Sequence, residues 1–154
     1  MNLVQNFGKD ALEEWRDIKG FEGHYQVSNL GNVRSLDRQI RIKGKHQKFR
    51  KSKGVNLVKT PDWDGYLNVG LCLNGKVTRR TVHRLVAMAF IPNPENKATV
   101  NHKDSNRANN KLLNLEWATI SENAKHGYRF GNVRPPSQKG NFKNKRKSNP
   151  SYRT

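Results

Sequence analysis

VNHKDSNRANNKLLNLEWATISEN, residues 100–123, decides the reading of this 154-residue chain. TVNH (99–102) has the make-up of a short strand. A polar loop, KDSNRANNKLLN, follows it, and LEWAT then reads as a second strand. Thr119-Ile120-Ser121-Glu122 is a capping box, in which the N-cap hydroxyl and the N3 carboxylate satisfy each other's backbone N–H groups. The helix it opens is expected to run to about His126, with Gly127 as the residue that ends it. Trp117 is expected in the core of this unit, its strand alternating toward the helix. Strand, long loop, strand, helix is a ββα unit.

A unit of this kind can assemble a phosphodiester-cleaving site. One hard cation, bound by oxygen ligands, must sit between the scissile phosphate and the leaving 3′ oxygen. A base must take a proton from water on the far side of phosphorus, and imidazole suits that near neutral pH. The end of the first strand presents Asn101 and His102, and the first helical turn presents Asn123. The amide oxygens of Asn101 and Asn123 can hold Mg²⁺, and His102 can act as the base. Asn114, just before the second strand, can tie loop to strand through side-chain-to-backbone bonds. Asp104 is expected to shape the loop. His126, one turn from Asn123 on the same face, is a further candidate for metal or phosphate.

Upstream, the sequence predicts antiparallel strands at VNLVK (55–59), GYLNVGLCL (65–73) and KVTRRTV (76–82). Asn74-Gly75 between the last two is a hairpin signal, because both residues accept positive φ. HRLVAMAF (83–90) carries its apolar residues on one helical face, and Pro92 and Pro94 end that helix. His83, which opens it, is expected to pack or cap. EEWRDIKGFEGHYQVSNLGNVRSL (13–36) reads as a small β module. Tyr25, Val27 and Val33 keep strand period there, Asn29–Asn32 make a turn, and Trp15, Ile18, Phe21 and Tyr25 form a miniature core.

Thirty Lys and Arg against 12 Asp and Glu leave a net charge of +18, which costs self-repulsion and calls for a polyanionic partner. The cations cluster. Arg34, Arg38, Arg41, Lys43, Lys45, Lys48, Arg50, Lys51 and Lys53 form a basic arm suited to tracking a phosphate backbone, with Ile40 and Ile42 making part of it a strand. Arg79, Arg80 and Arg84 add a second group. Residues 131–154 read as a basic, flexible tail, with Lys143, Lys145, Arg146 and Lys147, that can order on a nucleic acid. The single cysteine, Cys72, rules out an internal disulfide and is expected to be a small buried hydrophobe. No stretch is apolar enough to span a membrane, and the start lacks the features of a secretory signal, so a cytoplasmic location is expected.

The stretch at 100–123 resembles the HNH motif of phage homing endonucleases, whose pattern runs N/D-H-x-D-G-N-x-x-N-N, then N-L-x-W, then a terminal Asn or His. The spacing agrees: His102, Asn114 twelve residues later, Asn123 nine after that. VHRLVAMAFIPNP (82–94) is similar to the helix that precedes this motif in that family, and residues 13–36 resemble a modular motif often fused to its N-terminus.

The resemblance implies an α+β fold. A small N-terminal β module and antiparallel strands precede a ββα-metal unit and a basic C-terminal tail. It implies a leader at 1–12, the β motif with its basic arm at 13–58, the nuclease domain at 59–130 and the tail at 131–154. It implies a DNA endonuclease that nicks or cuts double-stranded DNA and leaves 5′-phosphate and 3′-hydroxyl ends. In that family His102 corresponds to the general base, Asn101 and Asn123 to metal ligands, and Asn114 to the support of base and loop. Mg²⁺ is the expected cofactor, with Mn²⁺ or another divalent ion able to serve the same donors. A monomer or weak dimer is expected, with other phage proteins as further partners. Ser105 stands where the family has Gly. Asn101 leaves no protein carboxylate on the metal, and a basic tail stands where larger relatives continue into a helix-turn-helix reader. A non-catalytic DNA-binding protein on the same scaffold and an RNA-binding basic protein remain as alternatives.

Overall fold

Alternation of apolar and polar residues sets up most of the strands, and a computed structural model describes residues 12–42 and 48–130 of the chain. Trp15–Asp17 (β1), Tyr25–Ser28 (β2) and Val33–Ser35 (β3) form an antiparallel sheet in chain order. Tyr25, Val27 and Val33 point inward from it, and Gly31 takes φ +79° in the turn. Arg38–Ile42 (β4) and Lys48–Ser52 (β5) pair as an antiparallel ribbon, so the described part of the basic arm is a hairpin. Lys43, Lys45, the tail cations Lys143, Lys145, Arg146 and Lys147, and nearly all of the expected leader lie outside the described residues.

Thr60–Pro61 (β6), Leu67–Leu73 (β7) and Lys76–Thr81 (β8) make a second three-stranded sheet. Asn74 and Gly75 turn β7 into β8 at φ +52° and +79°, as the Asn-Gly pair predicts. Helix α1, Val82–Phe90, follows directly and buries Val82, Leu85, Val86 and Ala87. Thr99–His102 (β9) pairs antiparallel with Leu115–Ala118 (β10), His102 opposite Leu115 and Asn101 opposite Glu116. A single 3₁₀ turn, Leu112–Asn114, precedes β10, and helix α2, Ile120–Arg129, closes the unit. Both halves of the capping box are present at Thr119 and Glu122.

One apolar cluster joins these parts. Ile18, Tyr25, Val27 and Val33 pack in it with Val69 and Leu71 of β7, with Val82, Leu85 and Val86 of α1, and with Val100 and Leu115 of the ββα unit. The modules expected at 13–58 and 59–130 therefore share a core. The Tyr25 hydroxyl adds a polar stitch, donating to the Cys72 carbonyl (3.2 Å) and accepting from the Cys72 N–H (3.0 Å).

Four expectations are corrected. VNLVK (55–59) is not a third strand beside β7. Its backbone runs antiparallel along β3 through Ser35 N–H to Val55 O (2.9 Å) and Leu57 N–H to Val33 O (2.7 Å), and the short β6 takes the place beside β7. Cys72 is exposed, because Val69 and Leu71 claim the inner face of β7 and the strand period turns Cys72 outward. Helix α2 continues through Gly127 to Arg129, and the His126 and Phe130 rings stack at 4.6 Å across its last turn. A helical glycine costs only about 1 kcal/mol, which such contacts can offset. Trp117 faces the core cluster and donates Nε1–H to the Ile91 carbonyl (3.0 Å) just beyond α1, while α2 buries no residue of its own.

Candidate active site

The site grows out of the loop between β9 and β10. Its twelve residues carry few apolar side chains, so its shape is held by polar bonds within the loop. Asp104 accepts from the Asn106 N–H (2.8 Å), the Asn109 amide (2.7 Å) and the Asn114 amide (2.8 Å). Asn114 in turn accepts from the Asp104 N–H (3.0 Å) and donates to the Asn109 carbonyl (2.8 Å). Burial works against the Asp104 carboxylate, but the hydrogen bonds from Asn109, Asn106 and Asn114 outweigh it and hold its pKa below the ordinary value. Ser105, where the family pattern has Gly, sits at φ +60°, a conformation that costs an L-residue roughly 1–2 kcal/mol.

This loop and the first turns of α2 border one cleft of about 260 Å³. Asn101, His102, Asn123 and His126 all line it, together with Tyr66, Ser105 and Arg107. Asn114 does not. It braces the loop, and the side chain that touches His102 is Asn110, whose Oδ1 lies 3.1 Å from His102 Nε2. Asn101 donates its amide to the Glu116 carboxylate at 2.8 Å, which leaves Oδ1 as the free end. His126 Nε2 lies 3.2 Å from the Lys103 carbonyl, so one of its two ring nitrogens is already engaged.

His102 is 5% exposed and packs against two rings that spacing did not single out as part of the site. The His83 ring centre lies 5.1 Å away, edge-on, and the Tyr66 ring centre 5.9 Å away. Burial lowers the His102 pKa, opposed by the bond from Asn110 and the charge of Asp104, so the ring is neutral near pH 7. His83 is pushed down to about 4, first by burial and then by the charges of His102 and Arg84, against a smaller pull from Asp62. It is a packing residue, as expected, but it packs against the candidate base. Arg107 lies over Tyr66 (4.8 Å to the ring centre) and donates to the Asp64 carbonyl, tying the cleft to the 62–65 turn.

The expected phosphate contacts divide into two groups. Arg34 is half-buried over Trp15 (4.1 Å) and bonded to Gln26, and Arg38 is half-buried over Tyr25 (5.2 Å). The Arg34 guanidinium is engaged by Gln26, whereas Arg38 Nη1 is buried without a hydrogen-bond partner. Lys48, Arg50, Lys51, Lys53, Arg79, Arg80 and Arg84 are exposed. A second cleft, about 550 Å³, is bordered by Lys19, Arg79, Arg80 and Arg84. It is larger, but its lining offers cations without an imidazole, whereas the smaller cleft holds His102 and His126.

Residues 13–72 match the NUMOD4 motif, and residues 80–125 match the HNH endonuclease model. The chain is 40% identical over 135 residues to DNA endonuclease I-HmuI of Bacillus phage SP01, which covers 86% of this chain and 69% of that protein. The chain belongs to the HNH endonuclease family. An uncharacterized HNH endonuclease of Acanthamoeba polyphaga mimivirus, L245, is 46% identical over 120 residues, covering 78% of this chain and 31% of that one. The solved structure of the HNH homing endonuclease I-HmuI, described for DNA binding and cleavage, superposes with a TM-score of 0.62 at 39% identity. That match covers 80% of this chain and 63% of that one.

HNH nucleases generally use a divalent metal ion. The cleft suits one: carboxamide oxygens are the hard donors such an ion takes, and Asn101 has its oxygen end free. Among the described residues no group of three or more His, Cys, Asp and Glu could hold a metal.

Proposed function

We propose that this chain hydrolyses phosphodiester bonds in double-stranded DNA, with His102 as general base and Asn101 and Asn123 as the ligands of a Mg²⁺ ion. The observation that carries the reading is the meeting of these three side chains at one cleft, the imidazole among them kept neutral by burial. A neutral ring can take a proton from water as its oxygen attacks phosphorus. The 3′ oxygen then leaves and is protonated, giving 5′-phosphate and 3′-hydroxyl ends. The metal, when bound, would stabilise charge developing on the leaving oxygen. Asn114 and Asp104 keep the loop in place, and His126 closes the cleft as a phosphate or metal contact.

The exposed cations hold the duplex. A footprint of about six phosphates gives a slope of log K against log salt near −5. Mn²⁺ would serve the same amide donors. With only neutral protein ligands the DNA-free protein holds Mg²⁺ weakly, and calorimetric titration giving a micromolar Kd would contradict this ligand set. Its place of action is the cytoplasm, with the DNA, as a mobile-element or phage enzyme acting as a monomer or weak dimer.

The test is nicking of supercoiled plasmid in Mg²⁺ and in EDTA, followed by mapping of the cut ends. Nicks in Mg²⁺ alone, with 5′-phosphate ends, are expected. Tight DNA binding without any nick would leave a non-catalytic scaffold protein.

A further inference from the structure

Asn110 is one of the few fully buried polar side chains, 4% exposed, and it is absent from the set that spacing selects. Its amide nitrogen donates to the Ala108 carbonyl at 3.2 Å. That leaves Oδ1 for His102 Nε2 at 3.1 Å. An amide oxygen can only accept, so Nε2 must carry the proton. Turning the amide over would set its oxygen against the Ala108 carbonyl, acceptor to acceptor. The orientation is therefore fixed locally, and with it the tautomer: the lone pair of neutral His102 lies on Nδ1.

The position of Asn110 is fixed from outside the ββα unit. The turn between β2 and β3 lies directly against it. The Leu112 N–H donates to the Asn29 carbonyl at 2.8 Å. A Cβ added to buried Gly31 would meet the Asn110 carbonyl oxygen at 2.8 Å and the Asn110 Cβ at 3.0 Å, closer than packed atoms tolerate. The turn is stiff as well. Gly31 N–H bonds to the Ser28 carbonyl (3.0 Å), and Lys59 Nζ bridges the Gly31 carbonyl (3.1 Å) and Asn32 Oδ1 (3.0 Å). An unyielding turn in contact with the backbone of Asn110 transmits any displacement to the His102 ring.

We propose that the N-terminal module is a working part of the nuclease site: its Gly31 turn seats Asn110, and Asn110 holds His102 in the tautomer whose Nδ1 is free to accept a proton. Asn110 and Gly31 are positioning residues, acting through His102, and the proposal rests on the reading of His102 as the base. It gives the fused motif a role in the rate of cleavage besides any role in holding DNA. A small misplacement of a base costs rate steeply, since proton transfer needs a short, aligned contact.

The experiment pairs spectroscopy with kinetics on the full chain. Long-range proton–nitrogen correlation NMR reads the His102 tautomer at pH 8, with His102→Ala supplying the assignment. Plasmid nicking in Mg²⁺ supplies kcat and KM, each variant assayed well below its own melting temperature. The native ring should be the Nε2–H form. Asn110→Ala should yield a mixture of both tautomers and a kcat lower by about a hundredfold, with KM within a few fold. Asn110→Asp keeps an acceptor for Nε2 and should retain the native tautomer and most of the rate. Gly31→Asn tolerates the positive φ while adding the Cβ, so it isolates the contact, and a loss of roughly tenfold in kcat is expected.

An Nδ1–H ring in the native protein, or an Asn110→Ala ring unchanged from native, would overturn the proposal. So would normal kcat in both Asn110→Ala and Gly31→Asn while His102→Ala is inactive. Full nicking by His102→Ala would instead sink the underlying reading of the base, whatever the tautomer.

Discussion

The loop at 103–114 and the ribbon formed by β4 and β5 are both polar, and they are built on opposite plans. In the loop almost every polar group is spent on a neighbour. Asp104, Asn109 and Asn114 form a closed set of bonds, and Asn110 faces inward to His102. In the ribbon, Lys48, Arg50 and Lys51 stand exposed on a two-stranded piece whose described residues add nothing to the core. The first arrangement fixes side chains in place, as the proposed proton transfer requires. The second keeps charge free to follow a phosphate backbone, where counterion release rewards number more than placement. On the proposed function, rate and affinity fall to different regions and should separate under mutation.

The largest effect is expected from His102→Ala. Cleavage of supercoiled DNA in Mg²⁺ should fall by about a thousandfold or more, while DNA binding, read by a gel shift in EDTA, stays within a few fold. Lost binding would make His102 structural and erase the contrast.

His83 sharpens it next. Its pKa in the folded protein, about 4, lies below the ordinary 6.5. The unfolded chain therefore takes up the proton first as pH falls. The stability this ring contributes is complete above pH 6.5 and is lost progressively toward pH 4, on the order of 3 kcal/mol in all. Urea unfolding across that window should show the loss, and His83→Gln should flatten it. An equally steep profile in the variant would point to other groups.

The ribbon comes third. Replacing Lys48, Arg50, Lys51 and Lys53 by Ala should lower the salt slope by about 3 and weaken binding between roughly tenfold and a hundredfold at ~0.1 M salt. The kcat at saturating plasmid should not change. A fall in kcat alone would mean that the ribbon also aligns the substrate.

Asn114→Ala closes the series. It removes the acceptor of the Asp104 N–H and the donor shared by Asp104 and the Asn109 carbonyl. A loss of about 1–2 kcal/mol in thermal unfolding is expected, with a smaller loss of rate than Asn110→Ala. The reverse order of rates would return Asn114 to direct support of the base.

Where the sequence could be read, the information was local. Asn101 and His102 end one strand and Asn123 sits in the first turn of the helix beyond the next, so spacing alone brings them to one end of a ββα unit. The capping box at Thr119 and the Asn74-Gly75 turn are complete within four residues, and both stand as expected. Charge says nothing of what lies beneath a side chain, so the ring contacts of Arg34 and Arg38 were not legible in it. Here Trp15 and Tyr25 draw them inward.

By itself the sequence determined the ββα unit and the residues at its mouth, because period, turn chemistry and spacing act over a few residues. Only the tertiary structure decided that Asn110 rather than Asn114 touches His102, that His83 and Tyr66 wall the ring, and that Gly31 presses on the loop. These contacts join residues far apart in the chain. They exist because one apolar core draws the N-terminal sheet, α1 and the ββα unit together, and no local pattern records which polar groups meet once it has formed.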